Sequence, residues 1–450
     1  MAVEFSLFWA RAKTERPGPN ESIPANGGKG GIMTARNISR RHVVAGTLAA
    51  ATIGTLRRAR AQKSDPIRIG CIQTLSGSVG DIGRYHLQGA QAAVKYLNET
   101  GGIDGRPVEL VVRDSKFSPA EAITALREFS GSGINLIHGE SFSSSVMAAL
   151  PLLKDLNVVN ISPSVIAMDA THGQFNRNFF RCGLNARMQY GGQAMVMAKM
   201  APDAKRWGGV VPDTLGSRLG WQMLSFALKQ EYKKYANKDV ELIDPVFTKT
   251  GTVDFRTAIS QIVSQKLDGL HAGVAGGEAI SFYQQGRPFG LFNEVKILAD
   301  TNLSVQAGPT LKRATPPNFW SACLWHFDGY KQLPLAQKFY KDLGGEEKNA
   351  IIHPYSAQAH TAVMSFAGAI RDAKSTDTDK VISSLENISF DSVFGPLRYR
   401  KEDHQLLVNP GYIRLEPQDS EQGYRVADFV TTHWEDLIEP ASPGVEFKLE

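Results

Sequence analysis

Cysteine is scarce in this 450-residue chain. Only Cys71, Cys182 and Cys323 occur, well separated. Three scattered thiols exclude a disulfide framework, and their surroundings suit buried thiols better than reactive ones. Long apolar runs are missing too. No stretch of eighteen uncharged apolar residues exists, which excludes a transmembrane helix from the mature chain. Phosphate-binding glycine motifs are absent. There is no G-x-x-x-x-G-K-S/T, and Gly80 with Gly83 after the first strand does not make G-x-G-x-x-G. His138, His271, His326, His353 and His360 show no metal-ligand spacing, so neither a metal nor another cofactor is expected. A basic surplus is also lacking where it would matter. The formal net charge is +5, but residues 1–61 alone hold ten Lys/Arg against three Asp/Glu. That leaves 40 basic and 42 acidic residues in 62–450. A nucleic-acid binder needs its positive charge on the folded part, so that class is disfavoured.

What is present begins with a leader. Ser39, Arg40 and Arg41 precede an apolar stretch over 43–56, and Ala59, Arg60 and Ala61 follow as an A-x-A cleavage pattern. A charged region, a short apolar region and small residues at the cut are the parts of an export signal. The paired arginines resemble a twin-arginine signal, although Val43 and Val44 stand where Phe-Leu is usual. Residues 1–61 are therefore expected to be a leader, with translation starting at Met33 and the mature protein in the periplasm. The competing reading is a tail with a chance apolar run.

From residue 66 strands and helices alternate. Strand patterns fall at 66–74, 108–112, 134–137 and 158–161, with helical spacing after each of the first three. The cycle restarts after about 185, with strands at 207–211, 240–247, 270–274 and 295–298. Phe255, Ile259 and Ile262 mark the inner face of a helix over 254–267. Such alternation argues for parallel sheets covered on both faces, in two α/β units of similar size. Two further helical patterns, around 335–343 and 356–373, and short strands at 397–399 and 412–414 complete the two units. The aromatics Phe319, Trp320, Trp325, Phe327 and Tyr330 could serve a hinge that closes over a ligand, but core packing is the commoner use.

The richest chemistry lies at Ile137 to Ser145. In parallel α/β sheets ligands sit off the carboxyl ends of strands, where helix N-termini present free N–H groups. Ser141, Ser143, Ser144 and Ser145 add hydroxyls, more than an N-cap needs. A neutral cradle of this kind suits a carboxylate that must be released again. Ser162, Pro163 and Ser164 follow the next strand, on the same rim. Gly139 to Ser143 lacks the final glycine of a nucleophile elbow, so a serine hydrolase using Ser141 or Ser143 has little support.

With these residues in place, 66 to about 430 resembles the periplasmic substrate-binding proteins of branched-chain amino-acid and amide ABC importers. The matching stretches stand in order: Ile69 and Gly70; Leu75 to Gly77; Gly89, Ala90 and Asn98; Gly101 to Arg106; Asp114; Ser143 to Ser145; Ile161 to Pro163. Near the end come Tyr355, Ala359, Phe394 to Pro396 and Asp403 to Gln405. Each is short; their order over some 360 residues is specific.

The resemblance implies a type I periplasmic binding protein fold. Two Rossmann-like lobes with parallel sheets are joined by three crossings. The expected division is 62–184 with 320–395, 185–319 with 396–440, and a tail at 441–450. It implies a monomer that is not an enzyme and carries a small molecule to ABC permease and ATPase subunits. A ligand sensor of the same fold is the alternative. Site residues carry over singly. Ser143 matches a serine that binds the ligand carboxylate, with Ser141 and Phe142 just before it and Ser76 on the first loop. Ser164 and Val165 lie on the rim where a carbonyl receives the ligand amino group. Ile166 stands where a threonine completes the carboxylate site, so a hydroxyl is lost. Ile82, Leu215 and Ala275 fall where aromatics often line the cleft. Asp300, or Glu278, falls near an acid that pairs with the ligand ammonium. Phe117 and Phe142 occupy positions where some members carry a disulfide. Together these departures point to a wide, less polar cleft for a small carboxylate- or amide-bearing molecule: an amino acid, an aromatic or branched acid, or an amide.

Overall fold

The computed structural model describes residues 65–77, 79–348 and 350–449. The export signal, the start at Met33 and the cleavage site lie outside them.

The first half builds one parallel sheet. Strand β1 (Ile67–Gln73) leads through helix α1 (Gly80–Glu99) to β2 (Val108–Asp114), α2 (Pro119–Gly131) and β3 (Leu136–Gly139). Then come α3 (Ser143–Ala149), β4 (Val159–Ser162) and β5 (Phe179–Arg181). The spatial order is β2-β1-β3-β4-β5, and every pairing is parallel. Because both faces are covered, β3 and β4 are buried along their whole length. Helix α2 starts where the sequence says it should: Ser118 caps it and Pro119 opens it.

The second half repeats the plan. It runs α4 (Ala186–Met200), β6 (Arg206–Pro212), α5 (Leu215–Ala236), β7 (Glu241–Leu242), β8 (Val246–Thr248), α6 (Arg256–Ser264), β9 (Gly269–Ala272) and α7 (Gly276–Gly286). After the short α8 (Leu291–Glu294) come β10 (Ile297–Asp300), α9 (Ala307–Leu311) and β11 (Phe319–Ala322). Later in the chain, β14 (Gly411–Pro417) and β15 (Tyr424–Thr431) join this sheet antiparallel, giving the order β15-β14-β11-β10-β9-β6-β7. Between them lie α10 (Phe327–Tyr330), α11 (Pro334–Asp342), α12 (Gly345–Lys348), α13 (Pro354–Ala373), α14 (Thr378–Leu385) and the hairpin β12 (Phe390–Ser392) with β13 (Gly395–Leu397). Helix α13 packs on α1, and α14 on α13, so this stretch returns to the first sheet.

The two α/β units follow the expected pattern, with differences of detail. The run at 240–247 is split into β7 and β8 around Pro245. Helix α4 and strand β5 carry no usable sequence period. Nearly every α4 side chain is buried, and β5 is three residues long. A boundary at 319/320 falls inside β11, whose partners β10 and β14 both belong to the second sheet. A boundary at 396 falls inside β13. The sheet change after β11 therefore follows Ala322, because the Phe319–Trp320 run is a fully buried strand, not a connector. The tail also takes part in the fold. The Gly444 amide donates to the His172 carbonyl at 2.8 Å, and Phe447 packs edge-on to the His172 ring.

Helices α1 and α13 approach closely at Gly89. A Cβ on Gly89 would stand 1.9 Å from the Ser356 carbonyl oxygen, a backbone atom that cannot step aside. Gly89→Ala is expected to cost about 1–3 kcal/mol as overpacking does, toward the upper end. A lower urea midpoint at unchanged slope would show it; an unchanged midpoint would mean that the two helices separate easily.

Candidate functional site

The carboxyl ends of β1, β3 and β4 meet around a turn that the sequence forces to be tight. Gly139 has φ of +107°, and a Cβ there would lie 2.0 Å from the Ile72 carbonyl oxygen. The chain then enters α3 through Glu140, Ser141 and Phe142, the last of these being the N-cap residue.

Ser141 is buried. Its hydroxyl donates to Gln73 Oε1 at 2.6 Å and lies 3.2 Å from His86 Nδ1. Ser164 donates to the Ser141 carbonyl at 3.4 Å. The two serine-bearing turns are thus joined, as a shared rim requires. Ser143 is half-buried at the first position of α3, and among the described residues its hydroxyl carries no hydrogen bond. As a first-turn residue its N–H has no intrahelical acceptor. Ser76 is exposed and engages the carboxylate of Asp114. Ile82 is half-buried in the first turn of α1, its carbonyl 2.9 Å from His86 Nδ1. Phe142 meets Phe117 edge-to-face at 4.6 Å, so the two positions carried over as a disulfide place hold an aromatic pair.

Other expected residues are placed differently. Val165 is fully buried in the core of the first sheet with Ile137 and Phe179. The turn after β4 directs it inward. Ile166 is partly buried against the main core, and its carbonyl accepts from the Ala186 amide. Across the second sheet, Leu215 opens α5 and Ala275 is the N-cap of α7. Both positions stand just past strand ends of the second sheet. Asp300 ends β10 fully buried. Its two oxygens accept from Ser304 N–H and Oγ, Ser321 Oγ and Asn302 N–H, at 2.6 to 3.2 Å. Burial pushes its carboxyl up to about 6. With these four bonds in place, no lone pair is left for a ligand ammonium. Glu278, the other candidate, accepts from the Gly251 amide at 2.6 Å.

Sequence reasoning missed a wall of rings. Tyr85 stacks on His353 at 4.0 Å, His353 on Tyr355 at 4.8 Å, and Tyr355 on His86 at 4.6 Å. They come from the second turn of α1 and the start of α13. Helix starts at the strand-end rim were the available signal, but only the folded chain brings these two together. Burial lowers His353 to about 3 and holds His86 well below the ordinary imidazole range. The wall is therefore uncharged near neutral pH.

Among the described residues no group of three His, Cys, Asp or Glu side chains could hold a metal, and no helix is long and apolar enough to cross a membrane. A cavity of about 550 Å³ lined by Asp65, Arg68, Arg106 and Asn135 opens at the amino ends of β1 and β3, away from the rim and beside the first described residue. It is not the candidate site.

Two parallel α/β units that present serine turns, helix starts and neutral rings at their strand ends define a two-lobed binding protein of the type I periplasmic fold. The chain belongs to the periplasmic binding protein family, whose model matches residues 66–414. It is 24% identical over 341 residues to the Leu/Ile/Val-binding protein of Escherichia coli, covering 75% of this chain and 87% of that protein. Among solved structures it is similar to an amino acid ABC transporter substrate-binding protein from Pseudomonas fluorescens. The TM-score is 0.70 at 17% identity, over 82% of this chain and 96% of that one. A solute-binding protein from Rhodopseudomonas palustris in complex with benzoate gives a TM-score of 0.69 at 16% identity, over 85% of this chain and 100% of that one. At these identities the solved structures speak for the fold.

Proposed function

We propose that this protein is the extracytoplasmic solute-binding component of an ABC importer. It captures a small carboxylate- or amide-bearing molecule between its lobes and hands it to the permease. The observation that carries this reading is the joined rim of Ser164, Ser141 and His86 under the Tyr355 wall, in a chain of this family. An acid without an α-ammonium fits best. Asp300 is spent within its own unit, and Ile166 lacks the hydroxyl that a threonine would bring. The uncharged rings suit an aromatic or branched body. Neutral donors hold a carboxylate without a buried cation, so release remains easy.

The serines support binding and not turnover. His86 Nδ1 lies 2.9 Å from the Ile82 carbonyl, which can only accept, so that nitrogen carries the proton. It cannot also take one from Ser141, whose own proton goes to Gln73. We assign the first sheet with residues 324–406 to one lobe, and the second sheet with β14 and β15 to the other. Export by the twin-arginine route rests on Arg40 and Arg41, and a monomer is expected. Exported protein whose first residue is Gln62 would support the leader.

A thermal-shift screen with aromatic carboxylates, aliphatic amino acids, short amides and urea tests the reading. A ligand at 100 times its Kd adds about 2.7 kcal/mol. A shift with acids that lack an α-amino group is expected; a shift confined to α-amino acids would refute the ligand class. Ser143→Ala should then weaken binding by about 1–3 kcal/mol, as loss of a buried donor does. Calorimetric titration checks this, and an unchanged Kd would remove Ser143 from the site.

A further inference from the structure

One acid at the rim is not used by the binding scheme above. Glu140 lies directly beneath the serine turn and is 4% exposed. Its Oε1 accepts from the Ser141 amide at 2.7 Å and its Oε2 from the Ser115 hydroxyl at 2.5 Å. Ser115 is held in turn by Thr74 at 2.9 Å. The other side of the carboxyl group borders a narrow apolar gap lined by Ile72, Leu126, Val146, Leu150 and Phe179. Among the described residues no cation is paired with it. The titratable groups nearest it through its partners and along the chain are Cys71 on β1, His86, which meets Ser141, His138 two residues before it on β3, and Asp114, next to Ser115. The two histidines are neutral by burial. The faces that α2, α3 and β4 turn toward it carry no charge: Ala122 and Leu126, Val146 and Ala149, Asn160 and Ser162.

This is a poor place for two negative charges. A ligand carboxylate on Ser143 would approach the turn whose Ser141 N–H Glu140 already holds. With no compensating cation, like charges at such a site cannot both remain ionised. We propose that Glu140 makes acid capture proton-linked: it is the neutral acid in the complex, and one proton enters with each monoanionic ligand. This rests on the ligand class assigned above. Burial already raises the Glu140 carboxyl above its ordinary range in the free protein. Proton and charge balance then fix the sign. Affinity for a monoanion is constant below the free-protein titration point of Glu140. Above it, affinity falls by up to about tenfold per pH unit. A neutral amide shows no such fall. Transport of acids would be favoured in an acidified compartment, and amides would be admitted at any pH.

Calorimetry on the full protein with benzoate and benzamide, between about pH 5 and about pH 8 in two buffers of different ionisation heat, reads the linkage directly. Expected are uptake of up to one proton per benzoate, a falling benzoate affinity and a level benzamide affinity. Glu140→Gln should abolish the uptake and level the benzoate curve. Ser115→Ala removes a donor that favours the ionised form, so the fall should begin at higher pH; a merely structural role for Ser115 would not move its onset. A benzoate affinity that is level with pH in the wild type overturns the proposal. Infrared titration of the ligand-free protein supplies a second readout. A protonated carboxyl band that persists toward neutral pH and vanishes in Glu140→Gln supports it. If neither probe binds, the ligand class fails, while a Glu140 already ionised at about pH 5 overturns the proton linkage independently of any ligand.

Discussion

Arg181→Ala is expected to lower the unfolding free energy by about 3–5 kcal/mol, as breaking a buried charge network does. Arg181 is fully buried at the end of β5. Its guanidinium donates to Gln405 Oε1 at 3.0 Å and to the Ala167 carbonyl. Burial lowers it to about 10, opposed by the charges of Glu439 and Asp403, so it remains cationic at neutral pH. The backbone repeats the clasp: the Arg181 amide donates to His404 and its carbonyl accepts from Leu406. One side chain thus fastens the first sheet to the returning segment of 403–406, where the Arg400 guanidinium donates to both carboxylate oxygens of Asp403. Glu439 closes the same cluster from the C-terminal segment, accepting from Asn185 at 2.8 Å. Removing Arg181 takes one of the two cations, Arg181 and Arg400, from around Glu439 and Asp403 and opens a large cavity. Arg181→Met, which fills the space without charge, should recover part of the loss. Denaturant midpoints of the two variants decide it. Equal and small losses would mean that the cluster is held by its backbone bonds alone.

The second large effect concerns the aromatics. Trp325→Ala is expected to cost about 3–5 kcal/mol of stability and to leave the affinity of the folded protein unchanged. The indole is fully buried and donates to the Val393 carbonyl at 2.9 Å. Phe339 meets it edge-on at 5.1 Å, and Tyr330 lies parallel at 6.3 Å. With Ala336 and Val393 they make a small separate core under α11. Deleting the indole removes a large apolar area and strands a carbonyl acceptor. The measurement is a pair, an unfolding curve and a ligand titration at a temperature where the variant is folded. A weaker Kd at full stability would give these rings the ligand-closing role that the sequence alone left open.

Much of the fold was legible before folding. The alternation of short β-rich runs with amphipathic helices specifies parallel sheets, because only strands covered on both faces tolerate such continuous burial. Ser118 with Pro119, and the apolar spacing of Phe255, Ile259 and Ile262, place their helices and their inner faces correctly. Helix α4 was not legible. It is buried nearly all round, so its apolar residues show no helical stripe, and Gly191 with Gly192 reads as a break. The tertiary reason for Gly192 is the Tyr412 hydroxyl, which would lie 2.1 Å from a Cβ there. Strand β5 is too short for any period to register.

The site divides in the same way. The sequence by itself determined the serine turns at 141–145 and 162–164 and their place at strand ends, because chain order and strand direction fix where a following loop must lie. Only the tertiary structure decided which side chains meet there. It stacked Tyr85, His353, Tyr355 and His86 from helices some 270 residues apart in sequence. It spent Asp300 on Ser304 and Ser321, turned Val165 into the core and buried Glu140 without a cation. Burial and partner choice depend on what other elements bring to the same point, and that information is not local to any segment of the chain.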